Sequence, residues 1–124
     1  MTATLLAGPD VGIDKPVPDF TLKNLDGEEI QLSDFKGKFV VLEWNSFDCP
    51  FVGKHYKKGN MQALQKKYGE KGVVWLVINS SAKGKAGHYP VEVLKEKLER
   101  NKVEATLTCL MNADFLCFLD FIKY

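Results

Sequence analysis

Two apolar runs, residues 39–44 and 73–79, leave this chain few folds to adopt. Each is short, rich in β-branched and aromatic residues, and almost continuous rather than alternating. That is how a strand buried on both faces reads. Residues 50–68, between them, carry helical spacing. Two such strands joined by a helix make a right-handed βαβ unit with parallel strands. The whole chain of 124 residues is expected to be one α/β domain.

A reactive position lies where the first strand hands over to the helix. Cys49 is followed by Pro50, and proline is favoured at the first position of a helix, which makes Cys49 the N-cap. The first helical turn has unpaired N–H groups and a partial positive charge, and both favour thiolate over thiol. Phe51, Val52, His55 and Tyr56 form one apolar-leaning helix face, continued by Met61, Leu64 and Tyr68. Gly59 interrupts it, at a cost of about 1 kcal/mol for a helix interior, and is expected to kink or split the helix.

The flanking segments follow from pattern. Phe20 and Leu22 alternate with polar neighbours, as do Ile30 and Leu32, and Asp26-Gly27 between them signals a β-hairpin. Residues 33–37 form a short turn. Residues 80–89 are a Gly/Ser/Lys-rich loop at the C-terminal end of the second strand, the edge of a parallel sheet where ligands gather. Pro90 opens a helix with Val91, Leu94 and Leu98 inward, and residues 106–111 read as a further strand. Residues 1–15 are an arm without a period, and residues 112–124 an atypical apolar tail.

Bulk properties narrow the function. A formal net charge of +1 gives no electrostatic case for nucleic acid or an anionic membrane surface. No apolar run reaches the roughly 18 residues of a membrane span, and the N-terminus lacks a basic leader. The expectation is a cytoplasmic protein, or an exported one whose leader has been removed. Cys49, Cys109 and Cys117 are an odd count without metal-ligand spacing, so neither a disulfide framework nor a zinc site is read, and no cofactor is expected. Cys109 and Cys117 read as small buried hydrophobes.

The run Trp44, Asn45, Ser46, Phe47, Asp48, Cys49, Pro50, followed by Lys54, His55 and Tyr56, resembles the redoxins. These are thioredoxin-fold proteins of the alkyl hydroperoxide reductase/thiol-specific antioxidant type. The resemblance runs from about Pro16 to about Met111. It implies a thioredoxin-like fold with an N-terminal hairpin, and thiol redox chemistry at Cys49 on a peroxide or disulfide substrate. From Asn112 the pattern departs. A redoxin continues through a Thr-Pro with a cis proline into two further strands, whereas no proline follows Pro90 here. The C-terminal half is thus incomplete, which leaves an open sheet edge where a homodimer could form.

The resemblance also sorts the neighbours of Cys49. Thioredoxins place a second cysteine three residues after the first; Val52 stands there, so turnover needs an external thiol, a second protomer, Cys109 or Cys117. The external reductant would be a small thiol or a thioredoxin-like protein. Thioredoxins carry a buried acid six residues before the cysteine, matched by Glu43. It reads either as a proton carrier or as a strand-end carboxylate. Ser46 matches the peroxiredoxin hydroxyl three before the cysteine, or is a loop hydroxyl. The peroxiredoxin proline seven before it is Leu42, and the only arginine, Arg100, lies in the outer helix. His55, about 9 Å along the helix from Cys49, reads as an interior histidine rather than a catalytic partner. Lys54, Lys57 and Lys58 read as a solvated face, and Lys83, Lys85 and His88 as lining a substrate entry. The rival functions are a monothiol disulfide exchanger and a non-catalytic thioredoxin-fold binding module.

Overall fold

The computed structural model describes residues 12–81 and 83–110. The tail at 112–124, Cys117 and most of the N-terminal arm lie outside them. In chain order the elements are β1 (Thr21–Asn24), β2 (Glu29–Gln31), a 3-10 turn (Leu32–Phe35), β3 (Val40–Trp44), α1 (Pro50–Lys57), α2 (Asn60–Gly69), β4 (Val74–Asn79), α3 (Val91–Arg100) and β5 (Leu107–Leu110). They form a sheet in the order β2-β1-β5-β4-β3. β3, β4 and β5 run parallel, while β1 pairs antiparallel with both β2 and β5.

The hairpin is closed by its own side chains. Asn24 Oδ1 accepts the N–H groups of Asp26 (3.0 Å) and Glu28 (2.9 Å), and Gly27 supplies a φ of 82°. Phe20 and Leu22 then point inward and join Ile78 and Cys109 in a buried cluster, against which Leu32, Leu42, Trp44 and Leu107 pack. β4 is buried at every position, as its apolar run requires. The two crossovers run the same way across the sheet, so their helices share one face. Gln62 Nε2 bonds the Asn101 carbonyl (2.7 Å) and Gln65 Oε1 accepts the Glu104 N–H (2.9 Å), which ties α2 to the end of α3.

Three expectations change. The first apolar run is not buried on both faces: every β3 residue is half-buried and Phe39 is 84% exposed. The cause is topological, since β3 is an edge strand among the described residues. The long helix splits at Gly59 as expected, since Gly59 takes a left-handed φ of 75° and starts α2 afresh, but its inward face is not the expected one. This restart shifts the inward phase, so Gln65 is fully buried while Leu64 and Tyr68 are exposed. His55 is exposed rather than interior; Tyr56, one residue on, takes the inward position.

Candidate active site

The site forms where β3 ends. Cys49 is the N-cap of α1 with extended backbone (φ −78°, ψ 122°), and Pro50 follows inside the first turn. Its N–H donates to the Ser46 carbonyl at 3.0 Å, and its own carbonyl accepts from Gly53 at 3.0 Å. The sulfur makes no capping hydrogen bond and is half-buried. It sits at the positive end of α1 in an open cleft of about 520 Å³. Lys54, Lys57 and Lys58 line that cleft, whereas Lys83, Lys85 and His88 do not. The helix lysines taken for a plain solvated face are therefore the ones that frame the thiol.

Beneath the thiol loop lies a polar network centred on Glu43. The β-strand alternation that turns Leu42 and Trp44 to the hydrophobic cluster turns Glu43 toward the helices. Its Oε1 accepts from Tyr56 Oη (2.8 Å) and Asn45 Nδ2 (3.2 Å), and its Oε2 from Trp75 Nε1 (2.7 Å) and Gln65 Nε2 (3.1 Å). One carboxylate thus joins β3 to α1, α2 and β4. Burial and the adjacent Glu43 charge push the Tyr56 hydroxyl pKa upward, so it stays a donor. None of these bonds involves Cys49. Most buried polar groups are hydrogen-bonded; Gln65, fully buried, uses both ends of its amide, whereas the buried Asn45 Oδ1 has no partner among the described residues.

A second set of contacts straps residues 80–89 onto the thiol loop. Asp48 accepts the Gly87 N–H at 2.7 Å and the Tyr89 hydroxyl. These two donors hold its carboxyl below the usual aspartate range, the Tyr89 bond contributing most. Burial and the Asp48 bond raise the Tyr89 pKa to about 12. Asn79 Nδ2, at the end of β4, donates to the Gly87 carbonyl at 3.1 Å and, at 3.5 Å, to that of Asn45. Asp48, adjacent to the thiol in sequence, is therefore occupied with the loop.

Ser46 faces the same strap. A Cβ added to Gly87 would lie 2.4 Å from Ser46 Oγ and 2.6 Å from Ser81 Oγ, and Gly87 has a φ of 83°. Only glycine fits this crossing. Sequence reasoning singled out Cys49, Glu43 and Ser46, and the structure gathers them around the end of β3. It missed Gln65, Asn79, Gly87 and Tyr89. The glycine-rich loop was the one available signal, and it did not say which glycine. Cys109 is fully buried, and burial raises its thiol pKa to about 11.

A parallel sheet entered through a hairpin, with a cysteine capping the helix after β3, defines a thioredoxin-like redoxin. The AhpC/TSA family model matches residues 13–114, and the chain belongs to that family. Two relatives are thiol-disulfide oxidoreductase ResA of Bacillus thuringiensis subsp. konkukian and of Bacillus cereus. Each is 37% identical over 68 residues, which are 55% of this chain and 38% of the relative's length. Among solved structures, a thiol:disulfide interchange protein of the thioredoxin family from Chlorobium tepidum TLS is similar at TM-score 0.65 and 16% identity, covering 87% of this chain and 68% of that one. A thiol:disulfide interchange protein from Bacteroides sp. is similar at TM-score 0.63 and 19% identity, covering 86% and 66%. The ResA relatives are named as thiol-disulfide oxidoreductases, and this chain spans well under half of their length.

Proposed function

We propose that the protein is a monothiol disulfide oxidoreductase with Cys49 as its nucleophile. The observation that carries this is the placement of Cys49 at the N-cap of α1 in an open cleft, with Val52 where a local resolving thiol would be. The Cys49 thiolate attacks one sulfur of a substrate disulfide; the Cys49–S–S–R bond forms and the other substrate sulfur leaves as thiolate. An external thiolate then attacks the substrate sulfur of that mixed disulfide and takes R as a new disulfide. Cys49 departs as thiolate; one substrate sulfur has been reduced and the external sulfur oxidised, and a second external thiolate then frees R as thiolate and leaves the two external thiols joined as a disulfide.

A disulfide is favoured over a peroxide as the oxidant. Ser46 Oγ faces Gly87, and Arg100 ends α3 in the adjoining cleft, whose lining does not include Cys49. Neither is arranged as a peroxide clamp around Cys49. Glu43 acts as a positioning residue in this reading, since its bond to Tyr56 ties α1 to the sheet while its bonds to Gln65, Trp75 and Asn45 hold the carboxylate in place.

The test is turnover of a fluorescent mixed-disulfide peptide with excess small thiol. Wild type should accelerate its reduction, Cys49→Ser should not, and Cys109→Ala should retain the activity. Equal rates for wild type and Cys49→Ser would contradict the proposal. Rapid loss of hydrogen peroxide without disulfide reduction would move the protein to the peroxidase reading.

A further inference from the structure

The cleft beside Cys49 continues into a larger one. Phe47, Gly53, Lys57 and Lys58 line both, and the second, of about 750 Å³, extends to the C-terminal end of α3. Its charged lining is Lys57, Lys58, Lys97, Arg100 and Lys102, against Glu104 alone. Five cations less one acid leave four positive charges in one cleft of a chain that has 17 basic and 16 acidic residues overall.

Helix ends explain only part of this excess. α1 ends at Lys57 and α3 at Arg100. A helix C-terminus carries about half a negative charge, so the two ends together offset about one of the four. Lys97 is already engaged, its ammonium 4.4 Å from the centre of the Tyr89 ring. Among the described residues, Lys57, Lys58, Arg100 and Lys102 form no ion pair; the ion pair there joins Lys95 to Asp26. Clustered like charges with no counterpart repel one another when the cleft is empty and favour a complementary anion.

We propose that this cleft binds an acidic polypeptide segment, with several spaced carboxylates, of the protein whose disulfide Cys49 attacks. It rests on the oxidoreductase reading above for the Cys49 step and names the substrate class for that step. A peptide fits better than a single small anion because the charges come from separate elements, α1, α3 and the segment after α3, and lead toward the sulfur. Lysine ammonium groups on flexible stems accept such carboxylates without demanding one fixed geometry.

The experiment compares a cysteine peptide rich in Glu with its Gln analogue, each prepared S-methylated for fluorescence-anisotropy binding and as a mixed disulfide for exchange. The acidic peptide should bind and exchange about tenfold or more faster and tighter at low salt. That advantage should collapse at about 0.5 M salt, where the Debye length falls to a few ångströms. It should also disappear in the Lys58→Glu/Arg100→Glu double variant, whose fold is checked by Cys49 reacting with neutral 2,2′-dithiodipyridine while buried Cys109 stays unmodified. If that variant does not fold, the salt dependence of the wild type decides. Equal exchange of both peptides overturns the acidic cleft and leaves the oxidoreductase reading standing. Tight binding of the acidic peptide without any exchange at Cys49 overturns the oxidoreductase reading and supports the cleft. Displacement of the peptide by succinate at equal ionic strength and comparable affinity overturns the polypeptide assignment.

Discussion

The backbone N–H of Gly87 donates to the Asp48 carboxylate at 2.7 Å, so the loop between β4 and α3 is fastened to the residue preceding Cys49. At the same point Gly87 crosses the side chains of Ser46 and Ser81 with no room for a Cβ. The substitution Gly87→Ala therefore combines a left-handed backbone, which costs an L-residue about 1–2 kcal/mol, with overpacking of about 1–3 kcal/mol. Urea denaturation should show a loss of about 2–5 kcal/mol in all. A loss below about 0.5 kcal/mol, the range of ordinary surface changes, would mean that the strap is loose.

The Asp48–Tyr89 pair makes the strap pH-dependent, with opposite signs at the two ends. The Asp48 pKa is lowered below 3.8, so its contribution is present above that value and is lost as pH falls through the lower folded pKa. The Tyr89 pKa is raised from 10.0 to about 12, so its contribution is complete below 10 and is lost as pH rises toward 12. The Gly87 amide, followed by NMR or hydrogen exchange, should be protected between these limits. Tyr89→Phe should remove the alkaline limb and Asp48→Asn the acidic one. Protection that is flat across the whole range would contradict the pairing.

Glu43 makes a sharper distinction between charge and shape. Glu43→Ala leaves the Tyr56 hydroxyl and the Trp75 indole N–H without an acceptor in a largely buried setting, where each such group costs about 1–3 kcal/mol, and leaves Gln65 Nε2 with Tyr56 Oη alone. The variant should be destabilised by about 3 kcal/mol or more, with a changed near-ultraviolet signal from Trp75. Glu43→Gln keeps one acceptor oxygen and should lose less. If Glu43 only positions α1, the pH–rate profile of disulfide exchange keeps its shape in Glu43→Gln. A lost or displaced limb would make it a proton carrier.

The two described cysteines should behave in opposite ways. Cys109 is 0% exposed, with its pKa raised to about 11, so alkylation of the folded protein at about pH 8 should leave it intact until denaturant is added. Cys49 lies in the open cleft and should be modified under native conditions. Cys109→Ser, which buries a hydroxyl in the cluster of Phe20, Leu22 and Ile78, should cost about 1–3 kcal/mol. Modification of Cys109 at the rate of Cys49 would contradict its burial.

Much of this was legible because it is local. The hairpin announced itself through Asp26-Gly27, the parallel pair through two apolar runs, and the N-cap through Cys49-Pro50. What depends on which elements become neighbours was not. The burial of β3 was misread because an apolar run does not reveal whether its strand lies at an edge. The inward face of α2 was misread because a left-handed Gly59 resets helical phase without changing composition. Gln65 reads as a surface residue by type, yet it is fully buried because Glu43 and the Glu104 N–H meet it from 22 and 39 residues away. The partnership of Asp48 with Gly87 and Tyr89 likewise spans about 40 residues and leaves no periodic trace.

The most direct test of the central claim is mass-spectrometric mapping of the adduct formed when the native protein meets a peptide disulfide. The account predicts a mixed disulfide at Cys49, one equivalent of released peptide thiol, and no adduct in Cys49→Ser. An adduct on another cysteine with Cys49 left free, or wild-type reactivity in Cys49→Ser, would contradict it.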